Sequence, residues 1–212
     1  MYQNLSAYLS QSAARHCHVC PRQVLGVRMG LMALNLLGID CPPASKRLLV
    51  IAETDGCLVD GIEVVTGASV GHRTLRVVDY GKVAAVFTDA CTGQSLRLAP
   101  LDNVRERALI YAPDEPRHYF AQLQAYQIMP DDELLSARSV ILNPPADVLI
   151  SHPGVRVVCV RCGEEIINER EVYQGGLPFC RVCAGQEAYY LPADTEEAGF
   201  FNRAGAYVRE TI

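Results

Sequence analysis

No stretch of this 212-residue chain is apolar for long enough to cross a bilayer. The longest candidate, Val24 to Ile39, is sixteen residues and carries Arg28 and Asn35, whereas a span needs about 20 apolar residues, so it reads as a core helix. The start, Met1-Tyr2-Gln3-Asn4, lacks the cationic run and apolar run of a secretory leader. A basic excess is also missing: net charge is −5 and the pI about 5.5, which leaves no electrostatic footprint for nucleic acid. There is no P-loop, no GxGxxG between a strand and a helix and no GxSxG, so nothing supports nucleotide-dependent or serine-hydrolase chemistry. Repeats and low-complexity tracts are absent too.

Cysteine is plentiful. Nine cysteines with no leader point to a reducing, metal-containing cytosol rather than a disulfide scaffold. Four of them form Cys159-x-x-Cys162 and Cys180-x-x-Cys183, separated by seventeen residues. Each CxxC puts two thiolates on one tight turn, and two such turns make a closed tetrahedral shell for structural Zn2+. Gly163 suits a knuckle, Glu164 to Gln174 a hairpin, Gly175-Gly176-Leu177-Pro178 a turn, and Ala184 to Ala188 the start of a helix. Knuckle, hairpin and helix in that order describe a treble clef. Four thiolates leave no open position, so this centre holds structure.

Half of the residues are hydrophobic, enough for a core domain beside the zinc module. Leu5, Tyr8, Leu9 and Ala13 fall on a helical stripe within Asn4 to Arg15. Pro21 and Gly38 bracket a second helix, and a third runs from Asp55 to Gly67. Arg47 to Ala52 reads as a buried strand; Leu75 to Val78 and Val83 to Phe87 read as strands joined by a hairpin turn at Asp79-Tyr80-Gly81-Lys82; Leu96 to Ala99 reads as another. Asn103 to Ala112 and Arg117 to Tyr126 are helical patterns separated by prolines. Asp131 to Asp147 reads as a linker in which Leu134-Leu135 forms a helical turn. The expected domains are an α+β core over 1–146, a four-cysteine treble-clef zinc finger over 147–191 and a tail over 192–212.

A second group of metal-ligand residue types lies in His16-Cys17-His18-Val19-Cys20-Pro21. An extended backbone puts His16, His18 and Cys20 on one side and Cys17 on the other. Cys20 stands at the expected N-cap of the Pro21 helix, where exposed amides favour a thiolate. Glu53-Thr54-Asp55-Gly56-Cys57 is the best source of a further ligand, Cys57 falling at another helix start. His18, Cys20 and Cys57 are the candidate catalytic set, and His16 joins them as a metal ligand or as a hydrogen-bonding neighbour. Three protein ligands would leave an open position on a transition metal. Cys41 and Cys91 read as ordinary thiols.

These residues resemble a known family. His16-x-His18-x-Cys20-Pro21 followed by Leu25-Gly26-Val27-Arg28-Met29-Gly30 is similar to the HGHxCPGxxxGxRM signature of the FmdE family, named for a component of formylmethanofuran dehydrogenase. The similarity continues, in order, through Glu53 to Asp60, Val65-Thr66-Gly67 and Asp79-Tyr80-Gly81-Lys82. The resemblance implies an α+β core that dimerises, a cleft lined by His16, His18, Cys20 and Cys57 with Asp60 and Lys82 as polar neighbours, and a cytoplasmic role beside molybdenum- or tungsten-dependent formylmethanofuran oxidation in methanogenesis. Three positions depart from the signature: Cys17 and Arg22 replace glycines, and Ala68 replaces a cysteine for which Cys17 is the candidate substitute. The alternative is a regulatory or adaptor protein that contacts another protein through its finger. Between Ser151 and Tyr190 four arginines face five glutamates, which disfavours nucleic acid.

Overall fold

The computed structural model describes residues 4–16, 18–40, 46–150, 154–190, 199–201 and 207–209. It contains two compact units, Met1–Ile150 and Ser151–Ile212.

The first unit opens with helices α1 (Leu5–His16) and α2 (Pro21–Leu37). Pro21 occupies the first turn of α2, where its missing N–H costs nothing. Gly38 ends α2 at φ 63°, a left-handed conformation that returns its N–H to the carbonyls of Asn35 and Leu34. Strand β1 (Leu48–Ala52) leads into α3 (Cys57–Thr66), then β2 (Leu75–Val77), β3 (Ala85–Asp89) and β4 (Ser95–Pro100). Helices α4 (Val104–Tyr111), α5 (His118–Ile128) and α6 (Asp131–Leu134) precede β5 (Leu135–Val140) and α7 (Ala146–Leu149). The sheet order is β2-β1-β3-β4-β5, with β1 and β2 parallel and the other pairs antiparallel.

Helix α2 is the centre of the core. Val24, Val27, Met29 and Ala33 are fully buried among Leu58, Ile62 and Val65 of α3, Leu48 and Val50 of β1, and Phe87 of β3. Its one buried cation, Arg28, donates to the carbonyls of Tyr126 (2.7 Å) and Met129 (2.6 Å) and to Asp131 (2.7 Å). The guanidinium thereby caps the C-terminal end of α5, where orphan carbonyls and the negative end of the helix dipole favour a cation.

Two sequence expectations are corrected here. Asp79 to Lys82 is not a hairpin turn, because β2 and β3 lie on opposite sides of β1. The segment crosses the end of β1 instead, and the amides of Tyr80 and Lys82 both donate to the Glu53 carbonyl. Nor is Asp131 to Asp147 a linker. Within it, β5 pairs with β4 over six residues, from Ser95↔Val140 to Pro100↔Leu135.

The end of β3 is fixed electrostatically. Asp89 accepts hydrogen bonds from Arg47 Nε (2.9 Å) and Nη2 (2.8 Å), the Cys91 amide (3.0 Å) and Thr92 Oγ1 (3.1 Å). The guanidinium first, then the amide and hydroxyl donors, hold its carboxyl at about 2. A depressed carboxyl contributes stability that is complete above its unfolded value of about 4 and is lost as pH falls through the folded value. Asp89→Asn should cost about 2 kcal/mol at neutral pH and about half of that at about pH 3. Urea denaturation at both pH values checks this; an equal cost at both would refute it.

Residues 154–190 of the second unit form two hairpins. Strand β6 (Arg156–Val158) pairs with β7 (Glu165–Ile167), and β8 (Val172–Gln174) with β9 (Leu177–Phe179). Hence Glu164 to Gln174 is not one hairpin; its ends belong to two different ones. The Val160 amide ties them together by donating to the Pro178 carbonyl (3.0 Å). After the second cysteine pair, Ala184 donates to Cys180 (2.9 Å) and Gln186 to Arg181 (2.9 Å), closing a turn rather than starting a helix. In the tail, β10 (Gly199–Phe201) pairs antiparallel with β11 (Tyr207–Arg209).

Candidate metal centre and core cleft

The four sulfurs of Cys159, Cys162, Cys180 and Cys183 lie within 4.8 Å of one another. Cys162 and Cys180 are 4.0 Å apart, sulfur to sulfur. Zinc–sulfur bonds of about 2.3 Å at tetrahedral angles need sulfurs about 3.8 Å apart, so the quartet fits the ion it implies. Backbone curvature produces this: Gly163 donates to the Cys159 carbonyl (3.0 Å), and the Cys183 amide points at Cys180 Sγ (3.4 Å). Amides of Cys162 and Cys180 hold the Cys159 thiol down to about 6, while Cys180, burial and the other sulfurs push Cys183 up to about 12. Such crowding means that four thiolates coexist only around a cation.

In the first unit a cleft of about 590 Å³ collects His18, Cys20, Arg22, Cys57, Arg105 and Tyr119 on its walls. Cys20 is the N-cap of α2 and Cys57 the first residue of α3. Their thiols share a hydrogen bond, and burial followed by that bond pushes Cys57 up. Burial, followed by the two thiols, also raises the Tyr119 phenol, which lines the same cleft. Tyr126, deeper in the wall, is raised by burial to about 12.

Two features bring the thiols together. Gly26 and Gly61 face each other where α2 crosses α3; a Cβ at Gly26 would lie 2.1 Å from the Leu58 carbonyl oxygen, and one at Gly61 2.4 Å from that of Gln23. Only hydrogen on both sides allows this approach. Gln23, fully buried, accepts from the Cys20 amide (2.7 Å) and donates to Ser12 Oγ (2.9 Å), fastening the start of α2 to α1.

His18, Cys20 and Cys57 therefore line one cleft. Among the described residues, however, the C-terminal quartet alone brings three or more ligand atoms within 4.8 Å. The His16 side chain, Cys17 and Cys41 lie outside the described residues. Asp60 acts on Cys57, raising its thiol. Lys82 acts on Glu53 and stands 6.0 Å from the Tyr80 ring, and it is not on the cleft wall. Ala68 is buried, its amide on Thr66 Oγ1 (3.2 Å). Sequence reasoning missed Asp102, Arg105, Tyr119 and Gln122, which reach the wall from the starts of α4 and α5. No motif marks them; a search for polar residues in the first turns of those helices would have found them.

Fold and sites together define an α+β protein with a thiol-lined cleft and a separate four-cysteine metal module. The chain belongs to the FmdE family, described as "FmdE, Molybdenum formylmethanofuran dehydrogenase operon", which matches residues 15–136. Its fold is similar to that of a tungsten formylmethanofuran dehydrogenase FmdE-like protein from Syntrophus aciditrophicus, with a TM-score of 0.56 and 23% identity over 88% of this chain and 95% of that one. A "Probable S-adenosyl-L-methionine-binding protein" of Archaeoglobus fulgidus is 32% identical over 106 residues, 48% of this chain but only 29% of that relative. No helix among the described residues is long and apolar enough to cross a membrane.

Proposed function

We propose that this is a metalloprotein of two centres: structural zinc on the C-terminal quartet, and a soft transition-metal ion in the core cleft held by Cys20 and Cys57 with His18, and His16 beside them. The observation that supports the second centre is the contact between two thiols at the starts of two helices, inside a cleft large enough for a substrate. A bound ion there would supply Lewis-acid or redox chemistry at a position the protein leaves open. The chain's own contribution is to hold two soft donors together, to desolvate them, and to set the Tyr119 phenol in the same cleft. By family membership the role is redox or accessory, linked to formylmethanofuran dehydrogenase-type C1 metabolism, in a cytoplasmic homodimer. S-adenosyl-L-methionine, named for the Archaeoglobus relative, is a ligand to try in the same cleft.

Metal analysis of anaerobically purified protein tests the proposal. Two equivalents per chain are expected, falling to one in Cys20→Ser/Cys57→Ser with the zinc retained. One equivalent in the unaltered protein, lost on Cys162→Ser, would remove the core centre.

A second reading, an adaptor that docks a protein through the finger, is favoured by apolar side chains exposed on the hairpins, among them Val158, Val160, Tyr173 and Leu177.

A further inference from the structure

The charge around the core cleft has a direction. Four helices present their N-terminal turns to it: α2 through Cys20 and Arg22, α3 through Cys57, α4 through Val104 and Arg105, and α5 through Tyr119. Each such turn carries partial positive charge, although some of its donors are already used: Cys20 donates to Gln23, Val59 to Gly56, Val104 to Leu101 and Phe120 to Arg117, and Pro21 has no N–H. Two arginines stand on the same wall, Arg22 and Arg105, and among the described residues neither has a carboxylate partner. Among the described residues Asp102 is the wall's only acid, so its formal charge is +1 with His18 counted neutral. Several arginines elsewhere in this unit are paired: Arg28 with Asp131, Arg47 with Asp89, Arg97 with Glu53, Arg107 with Glu133.

We propose that the cleft binds a small organic anion, a carboxylate or phosphate ester, whose charged end lies between Arg22 and Arg105 over the starts of α2 and α4 and whose other end reaches the Cys20–Cys57 pair. The inference rests on the cleft being the ligand site of this protein. An apolar middle would lie against Leu25, Val83 and Leu101. The guanidinium fork matches either oxyanion bidentately, and the helix starts add amide donors. A ligand with no anionic group would leave both arginines uncompensated.

Titration of the full chain with inorganic phosphate, and separately with succinate, followed by amide NMR, tests this. Saturable shifts are expected at the amides of residues 20, 22 and 23 and of 103–106, and the tighter of the two anions identifies the head group. Trimethyl phosphate, uncharged and of similar shape, should not reproduce them. Arg22→Ala/Arg105→Ala should weaken binding at least tenfold while leaving the melting temperature unchanged, since both side chains are exposed. No saturable shift, equal shifts with trimethyl phosphate, or an undiminished affinity in the double variant would each overturn the proposal. Metal content of the unaltered protein separates the two ideas: no anion binding with the core metal present sinks only this inference, and anion binding in protein that carries no core metal sinks only the metal.

Discussion

Exchange of Cys162 for serine, or chelation of the bound ion, should unfold residues 154–190 and leave the core's own melting transition in place. Among the described residues of that unit only Cys159 and Ile166 are buried. Its four strands β6–β9 have three residues each. Two-stranded hairpins of that length are at best marginal in water, and a domain with two buried side chains has no hydrophobic core to offset the entropy of ordering. The metal is the core. Structural zinc contributes about 10–16 kcal/mol near neutral pH in small modules, so removing it should change the unit from folded to unfolded rather than loosen it. Protons compete for the same sulfurs, and acidification should act as chelation does. Amide hydrogen exchange across 154–190, with and without chelator, is the measurement. Persistent protection of β6–β9 in metal-free protein would refute the prediction.

What the sequence revealed was whatever is encoded locally. The cysteine pairs, Pro21 and Gly38 around α2, and Gly67 at the end of α3 are signals read within a turn or two, and the structure places helix ends where they ask. The failures share a cause. Asp79 to Lys82 has turn composition, but whether a turn makes a hairpin depends on which strand pairs with which, and β1 inserts between β2 and β3. Leu135–Val140 is an edge strand whose middle, Ser136-Ala137-Arg138-Ser139, is too polar to show the alternation of a buried one. Arg28 looked like an interruption of an apolar run, and its partners Tyr126 and Asp131 are 98 and 103 residues away along the chain. The cleft was legible by half: Cys20 and Cys57 carry motifs, whereas Arg105 and Tyr119 reach it only through the packing of α4 and α5.

Substitution of Gly26 by alanine should be the most damaging single-methyl change in the core. The added Cβ would meet the Leu58 carbonyl oxygen at 2.1 Å, and backbone cannot rotate aside as a side chain can. Helix α2 or α3 must move back, which opens a gap along a face where Val24, Val27, Leu58 and Ile62 are fully buried. Overpacking a close-packed core costs about 1–3 kcal/mol and more where backbone is struck, so roughly 3 kcal/mol or more is expected. Gly61→Ala, at 2.4 Å from the Gln23 carbonyl oxygen, should follow closely. Gly30→Ala should be milder, because its Cβ would meet Val65 side-chain atoms at 3.0 and 3.1 Å. Function should fall with stability at Gly26 and Gly61. The crossing lies within two turns of both Cys20 and Cys57, so separating the helices separates the thiols and should release the proposed core metal while the quartet keeps its zinc. Denaturant melts across the three variants, with metal content measured on each, check the order Gly26, Gly61, Gly30. A Gly26→Ala protein within about 1 kcal/mol of the parent would show that the helices are not held at this distance by their glycines.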